Sequence, residues 1–198
     1  MLRKILYPKI EMLLNKIASF LHAKGITANQ LTFAGLGLNV VVGLVYMAGL
    51  LPLGGILLLV AGLGDMLDGP VARVSGKASP SGAFLDSVVD RYSDFLVFGG
   101  LAAYFAVTGQ IGSFLLVMGT IAGAFVTSYT KARAENFISA CSVGVFERPE
   151  RLILLSIGTC FTGLLGLVLW ILCIGTHLTV IQRVLFTRKQ LKNTAPDA

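Results

Sequence analysis

Residues 64–94 read GDMLDGPVARVSGKASPSGAFLDSVVDRYSD, and they hold five of the ten acidic residues in a chain that is 55% hydrophobic. Asp65 and Asp68 are three apart, and Asp86 and Asp90 are four apart. On a helix either spacing puts both carboxylates on one face. Gly69, Pro80 and Gly82 punctuate the stretch between the pairs, which predicts a break between two helices. A helical hairpin that turns one pair against the other makes an oxygen-rich site for a hard cation such as Mg²⁺. In a soluble protein the same acids would read as a solvated surface. Here their flanks are LGGILLLVAGLG (Leu53–Gly64) and FLVFGGLAAYFAV (Phe95–Val107). Such runs need lipid or a core, and acids set against them mark a functional site.

Working outward, the chain has 198 residues, a mean hydropathy of +0.81 and 13% charged residues, against roughly 25% in soluble domains. That predicts one domain over residues 1–198, all-α and integral to a membrane, with helical spans. Residues 1–24 place Lys4, Lys9, Lys16 and Lys24 among Ile5, Ile10, Leu13, Leu14, Ile17, Phe20 and Leu21. That pattern predicts an amphipathic helix on the membrane surface, and no cleavable signal peptide is expected. In GITANQLT, Thr27 or Asn29 is placed to cap the next helix. Spans follow at 31–51, 53–73, 83–107 and 113–135. From Leu152 to Phe186 Arg183 is the single Lys, Arg, Asp or Glu. A helix of that length would reach about 52 Å, too long for one crossing of a ~30 Å core. A split near Gly163–Gly166 gives six spans over 31–186, followed by a basic tail at 187–198. The three cysteines, Cys141, Cys160 and Cys173, fit no metal spacing and read as reduced thiols. Gly35, Gly37, Gly43, Gly99, Gly100 and Gly123 lie within spans, where small residues let helices pack closely.

The net charge of +6 is placed on one side. Loops near 52, 110 and 165 carry no Lys or Arg, while the N-terminus, Arg73, Lys77, Arg91, Lys131, Arg133, Arg148, Arg151 and the basic tail share the other side. This predicts a cytoplasmic face holding both termini, in the cell (inner) membrane, and no nucleic-acid partner. By helix rise, Asp65 and Asp68 lie about 18 and 23 Å from the outer turn, and Asp90, Lys131 and Arg183 about 26–29 Å from theirs. Carboxylates and cations thus meet at one level. A cavity with an acidic floor and a basic wall suits a metal, a phosphorylated substrate, or both.

In full, the stretch is Asp65-x2-Asp68-Gly69-x2-Ala72-Arg73-x8-Gly82-x3-Asp86-x3-Asp90. This resembles the CDP-alcohol phosphatidyltransferase family, whose fixed positions are all filled here at the family's spacing. The resemblance implies transfer of a phosphatidyl group from CDP-diacylglycerol, or a related CDP-linked lipid, to an acceptor hydroxyl with loss of CMP. It implies two Mg²⁺ ions, for which Mn²⁺ can substitute. Asp65, Asp68 and Asp86 would hold one ion, and Asp65, Asp86 and Asp90 the other, with Asp90 also the general base. Gly69 and Ala72 would admit the nucleotide to the helix backbone, Gly82 completes the motif, and Arg73 would take a phosphate. The family's nucleotide site also covers the positions matching Asn29, Gln30, Leu31 and Thr32, and a hydroxyl matching Ser79. For Asn29 and Ser79, helix capping and turn chemistry explain the residue equally well. The resemblance further implies a homodimer.

SYTKARAE (Ser128–Glu135) and FERPERL (Phe146–Leu152) are similar to the phosphatidylinositol-phosphate synthase branch of that family and its archaeal-lipid counterparts. By that resemblance Ser128, Lys131, Arg151 and Arg183 bind the phosphate of a phosphorylated polyol, inositol phosphate. Arginines marking the membrane edge are the other reading, strongest for Arg188 and Lys189. Arg133, Arg148 and Glu147 are equally placed to pair with Glu135 and Glu150. Glycerol-3-phosphate is the alternative acceptor. A divalent-cation transporter, from another class, would not explain Gly69, Ala72 and Arg73.

Overall fold

A computed structural model describes the backbone of residues 2–194 and the side chains of residues 12–193. The expectations for Lys4, Ile5, Lys9 and Ile10 as side chains, and for the end of the basic tail, lie outside the described residues. Seven α-helices account for the described fold: α1 (Leu2–Ala23), α2 (Ala28–Met47), α3 (Leu51–Val74), α4 (Pro80–Val107), α5 (Ile111–Ala134), α6 (Arg148–Cys160) and α7 (Leu165–Thr194). A 3₁₀ turn, Thr162–Leu164, separates α6 from α7.

Local sequence explains the helix ends that matter to the site. Thr27 caps α2: its hydroxyl accepts from Gln30 N, and the Gln30 side chain accepts from Thr27 N. This reciprocal box satisfies two otherwise orphaned donors. At the end of α3, Gly76 adopts φ +65. There Lys77 N donates to Ala72 O and Gly76 N to Arg73 O, which closes the helix in a left-handed turn that favours glycine. Ser79 then caps α4, accepting from Gly82 N at 3.1 Å, and Pro80 supplies its first turn. Only residues 75–79 separate the two helices that carry the aspartates.

Six helices close a ring. α2 packs on α3 and α4, α4 on α5, α5 on α7, α7 on α6, and α6 back on α3; α1 lies against α3. Val42, Tyr46, Leu58, Phe98, Leu101, Val117, Leu155 and Leu169 fill the centre. α2 reaches α4 through glycine: a Cβ at Gly43 would stand 2.5 Å from Leu96 O, and one at Gly100 would strike the Gly43 backbone. Gly35 and Gly123 are also close-contact positions, whereas a Cβ at Gly37 or Gly99 meets open space.

Among the described residues, four stretches are long and apolar enough to cross a membrane: α2, α3, α5, and residues 162–193. The expectation of six spans meets that measure only in part. α4 carries Asp86, Asp90, Arg91 and Asp94 toward its N-terminal end, and α6 has only 13 residues. The break in the long apolar run falls at residues 161–164, slightly earlier than Gly163–Gly166. Large apolar side chains face outward around the ring, among them Phe33, Leu44, Phe95 and Trp170. An outer surface of this kind is that of a membrane protein.

Candidate active site

The aspartates come from two helices that share α2 as a neighbour. On α3, Asp68 accepts from Gly69 N, and its Oδ2 lies 3.4 Å from the Thr32 hydroxyl of α2. Asp65, one turn earlier, lies against Gly35 of α2. A Cβ at that glycine would stand 2.5 Å from Asp65 Oδ1, so the lack of a side chain makes room for the carboxylate. On α4, Asp86, Asp90 and Asp94 are spaced four apart, which puts them on one face.

Two cavities flank these rows. The first, about 710 Å³, opens between the end of α1, the start of α2 and the α3–α4 turn. Asp68 and Asp86 line it, as do Asn29, Thr32, Gly69, Ala72, Arg73, Ser79 and Gly82. Gln30 and Leu31, expected at the same site, do not line it; Gln30 is used in the cap of α2. A Cβ at Gly69 would meet only Arg73 Nη1, at 3.5 Å, so that face of α3 is open to an occupant. His22, Thr27 and Lys77, not expected at the site, also line this cavity.

The second cavity, about 650 Å³, lies between α4, α5, α6 and α7. All four expected acceptor-side residues line it: Ser128, Lys131, Arg151 and Arg183. Two of these cations have protein partners. Arg151 is 1% exposed, donates from Nη2 to Asp94 Oδ2 at 2.8 Å, and from Nη1 to Phe146 O at 3.2 Å. Arg183 donates to Val143 O, Thr127 O and Glu147 Oε1. Both arginines are therefore held by the protein itself. A buried arginine needs its donors satisfied from several directions, and Asp94, Glu147 and backbone carbonyls do this. Lys131 makes no ion pair among the described residues.

The pairings expected for Arg133, Arg148 and Glu147 are also corrected. Glu147 pairs with Arg183, and Arg133 stacks on the Phe137 ring at 4.7 Å. Arg148 turns inward: Nη1 is 2.9 Å from Asp65 Oδ2 and 2.6 Å from Asp90 Oδ1, and Nε is 3.2 Å from Asp94 Oδ1. Arg91 pairs with Asp90 at 3.5 Å and donates to the Ser128 hydroxyl. Sequence reasoning passed over Asp94, Arg91 and Arg148. The signals were present: Asp94 continues the four-residue period of Asp86 and Asp90, and Arg148 stands three residues before Arg151.

The donor set fits a hard divalent cation. Every side-chain ligand offered is a carboxylate oxygen, the type such ions select. Asp65 Oδ2 is buried and accepts no well-aligned hydrogen bond, and a guanidinium already sits between Asp65 and Asp90. As the side chains stand, no three acids among the described residues gather round one point.

The family model for CDP-alcohol phosphatidyltransferase matches residues 25–189. The archaetidylinositol phosphate synthase of Pyrococcus horikoshii is 36% identical over 193 residues, covering 97% of this chain and 99% of that protein. The phosphatidylinositol phosphate synthase of Streptomyces avermitilis is 34% identical, covering 96% and 84%. A crystal structure of Mycobacterium tuberculosis phosphatidylinositol phosphate synthase with CDP-DAG bound superposes with a TM-score of 0.81 at 31% identity, covering 89% of this chain and 94% of that one. The same mycobacterial enzyme has been solved in complex with manganese and citrate, and that structure superposes with a TM-score of 0.80. With the family model matching residues 25–189 and relatives 34–36% identical over most of their length, this chain belongs to the CDP-alcohol phosphatidyltransferase family.

Proposed function

We propose that this enzyme moves the phosphatidyl group of CDP-diacylglycerol, or a related CDP-linked lipid, onto a hydroxyl of inositol phosphate and releases CMP. The observation that carries this reading is the pair of cavities beside the aspartates: Asp68 and Asp86 line the first with glycines and hydroxyls, and the second is lined by Arg91 and Arg148, which pair with Asp90, together with Lys131, Arg151 and Arg183. The names of the relatives and the CDP-DAG bound in the mycobacterial enzyme point the same way.

In this reading the first cavity takes the CDP-lipid. Gly69 and Ala72 let the nucleotide lie against α3, Arg73 offers its fork of donors to a phosphate, and Asn29, Thr32, Ser79 and Gly82 border it. Asp65, Asp68, Asp86 and Asp90 hold two Mg²⁺ ions, or Mn²⁺ as crystallised in the mycobacterial relative. When bound, such ions neutralise the pyrophosphate and stabilise the departing CMP. Asp90 accepts the proton of the acceptor hydroxyl; it is paired with Arg91 and Arg148, which line the second cavity. Ser128, Lys131, Arg151 and Arg183 face the acceptor phosphate and orient one hydroxyl toward Asp90.

The same reading makes α4 and α6 spans alongside the four apolar ones, with α1 lying at the interface. Met12, Leu13 and Phe20 are exposed on α1 while Ala18 is buried, which suits an apolar face laid on lipid. Both termini and both cavities then face the cytoplasm, in a single membrane domain that forms a homodimer. Cysteine labelling of intact cells tests the orientation, and cross-linking in membranes the dimer.

An acceptor panel tests the reaction: inositol phosphate, free inositol, glycerol-3-phosphate and serine, each with CDP-diacylglycerol and Mg²⁺. CMP should appear with inositol phosphate alone. Release driven only by glycerol-3-phosphate would keep the family and overturn the acceptor; equal turnover of free inositol would overturn the role given to the cationic cavity.

A further inference from the structure

Arg148 touches both carboxylate rows at once, through Asp65 of α3 and Asp90 of α4. Its other edge is fixed more deeply. Nε donates to Asp94 Oδ1, whose second oxygen holds Arg151, and Asp94 and Arg151 are almost fully buried. The guanidinium thus has an anchored edge and an edge that rests on two of the acids read above as metal ligands. It also lines the cationic cavity beside Lys131 and Arg183.

Five carboxylates packed between helices repel one another strongly where water is scarce. A cation between Asp65 and Asp90 relieves this, and Arg148 supplies one. A divalent ion engaging the same oxygens would compete directly with Nη1, because two cations cannot share them without repulsion. The Nε contact to Asp94 lies outside that competition.

Resting on the function read above, we propose that Arg148 is a placeholder with two positions. Without a divalent cation, Nη1 bridges Asp65 and Asp90. With one bound, Asp94 keeps hold of Nε while Nη1 passes to the anionic acceptor in the cavity that Arg148 already lines. Metal entry then readies the acceptor site, and the aspartates are held apart from one another until it happens. Asp94 is the positioning residue that makes both positions available to one side chain.

The test is direct Mn²⁺ binding without substrates, read from the free-ion EPR signal, on the purified full chain, Arg148→Gln and Arg148→Lys. Arg148→Gln should bind Mn²⁺ on the order of tenfold more tightly, the scale of one charge-assisted contact removed from competition. Lysine keeps the charge but cannot bridge both rows from one planar fork, so Arg148→Lys should fall between the two. Acceptor KM should rise about tenfold in Arg148→Gln with CDP-lipid KM unchanged. Unchanged or weaker Mn²⁺ binding in Arg148→Gln overturns the placeholder. If that variant does not fold, wild-type affinity in Arg148→Lys does the same. Tighter Mn²⁺ with an unchanged acceptor KM overturns the hand-over to acceptor. A wild-type chain that binds no Mn²⁺ overturns the metal-dependent function itself, and this inference with it.

Discussion

The two cavities are similar in size, about 710 and 650 Å³, and opposite in construction. The first is made of helix ends and turns. Its polar groups are helix caps, short side chains and the cations Arg73 and Lys77, and no ion pair crosses it among the described residues. The second is walled by arginines already committed to protein partners, with Arg151 on Asp94 and Arg183 on Glu147. A site for a large ligand with its own apolar tails can be left open, since the ligand fills it. Fully buried arginines cannot be left so, because an unpaired charge there is too costly. The second cavity is therefore pre-assembled, and its residues serve stability and binding together.

Asp90 shares α4 with Asp86 of the first cavity and pairs with Arg91 and Arg148 of the second, and changing it should break both halves of the comparison at once. Asp90→Asn should retain CDP-lipid binding while CMP release falls by a factor on the order of 10³ or more, since base and metal ligand are lost together. Single-turnover CMP release alongside a nucleotide-binding titration reads this. Near-normal turnover would remove Asp90 from the chemistry.

Arg151→Gln should separate the cavities by stability. Asp94 would lose its buried partner, and breaking such a pair typically costs about 3–5 kcal/mol. Thermal unfolding in detergent should show a marked fall, larger than for any single neutral substitution in the first cavity. A variant that keeps its stability and loses only acceptor affinity would make Arg151 purely a ligand contact.

The division between what the residues disclosed in advance and what they did not follows the same line. Asp65, Asp68, Gly69, Asp86 and Asp90 were legible because their spacing is short and lies on single helices. The break between the two aspartate helices was legible from Pro80, but Gly69 and Gly82, read as marking it too, lie inside α3 and α4; the chain turns at Gly76 and Ser79. The α4 charges keep the helix expected as the span 83–107 below the measure of an apolar crossing, since hydropathy registers Asp90 and Asp94 as polar without registering that they face inward toward Arg148 and Arg151. The partners of the arginines were not legible at all. Arg151 meets Asp94 across 57 residues of chain and Arg183 meets Glu147 across 36, and such pairings depend on how the ring of helices closes. Gly35 shows the same limit: it reads as a packing glycine, yet it gives space to Asp65.

Lys131 lines the cationic cavity without an ion pair, so its charge can be removed with little damage to the fold. The steady-state KM values of Lys131→Gln for both substrates test most directly whether the two cavities hold different substrates. The inositol phosphate KM should rise roughly 10- to 100-fold, the loss of one charge-assisted contact, while the CDP-diacylglycerol KM stays within about twofold. A rise in the CDP-diacylglycerol KM with the inositol phosphate KM unmoved would contradict the assignment of the two cavities.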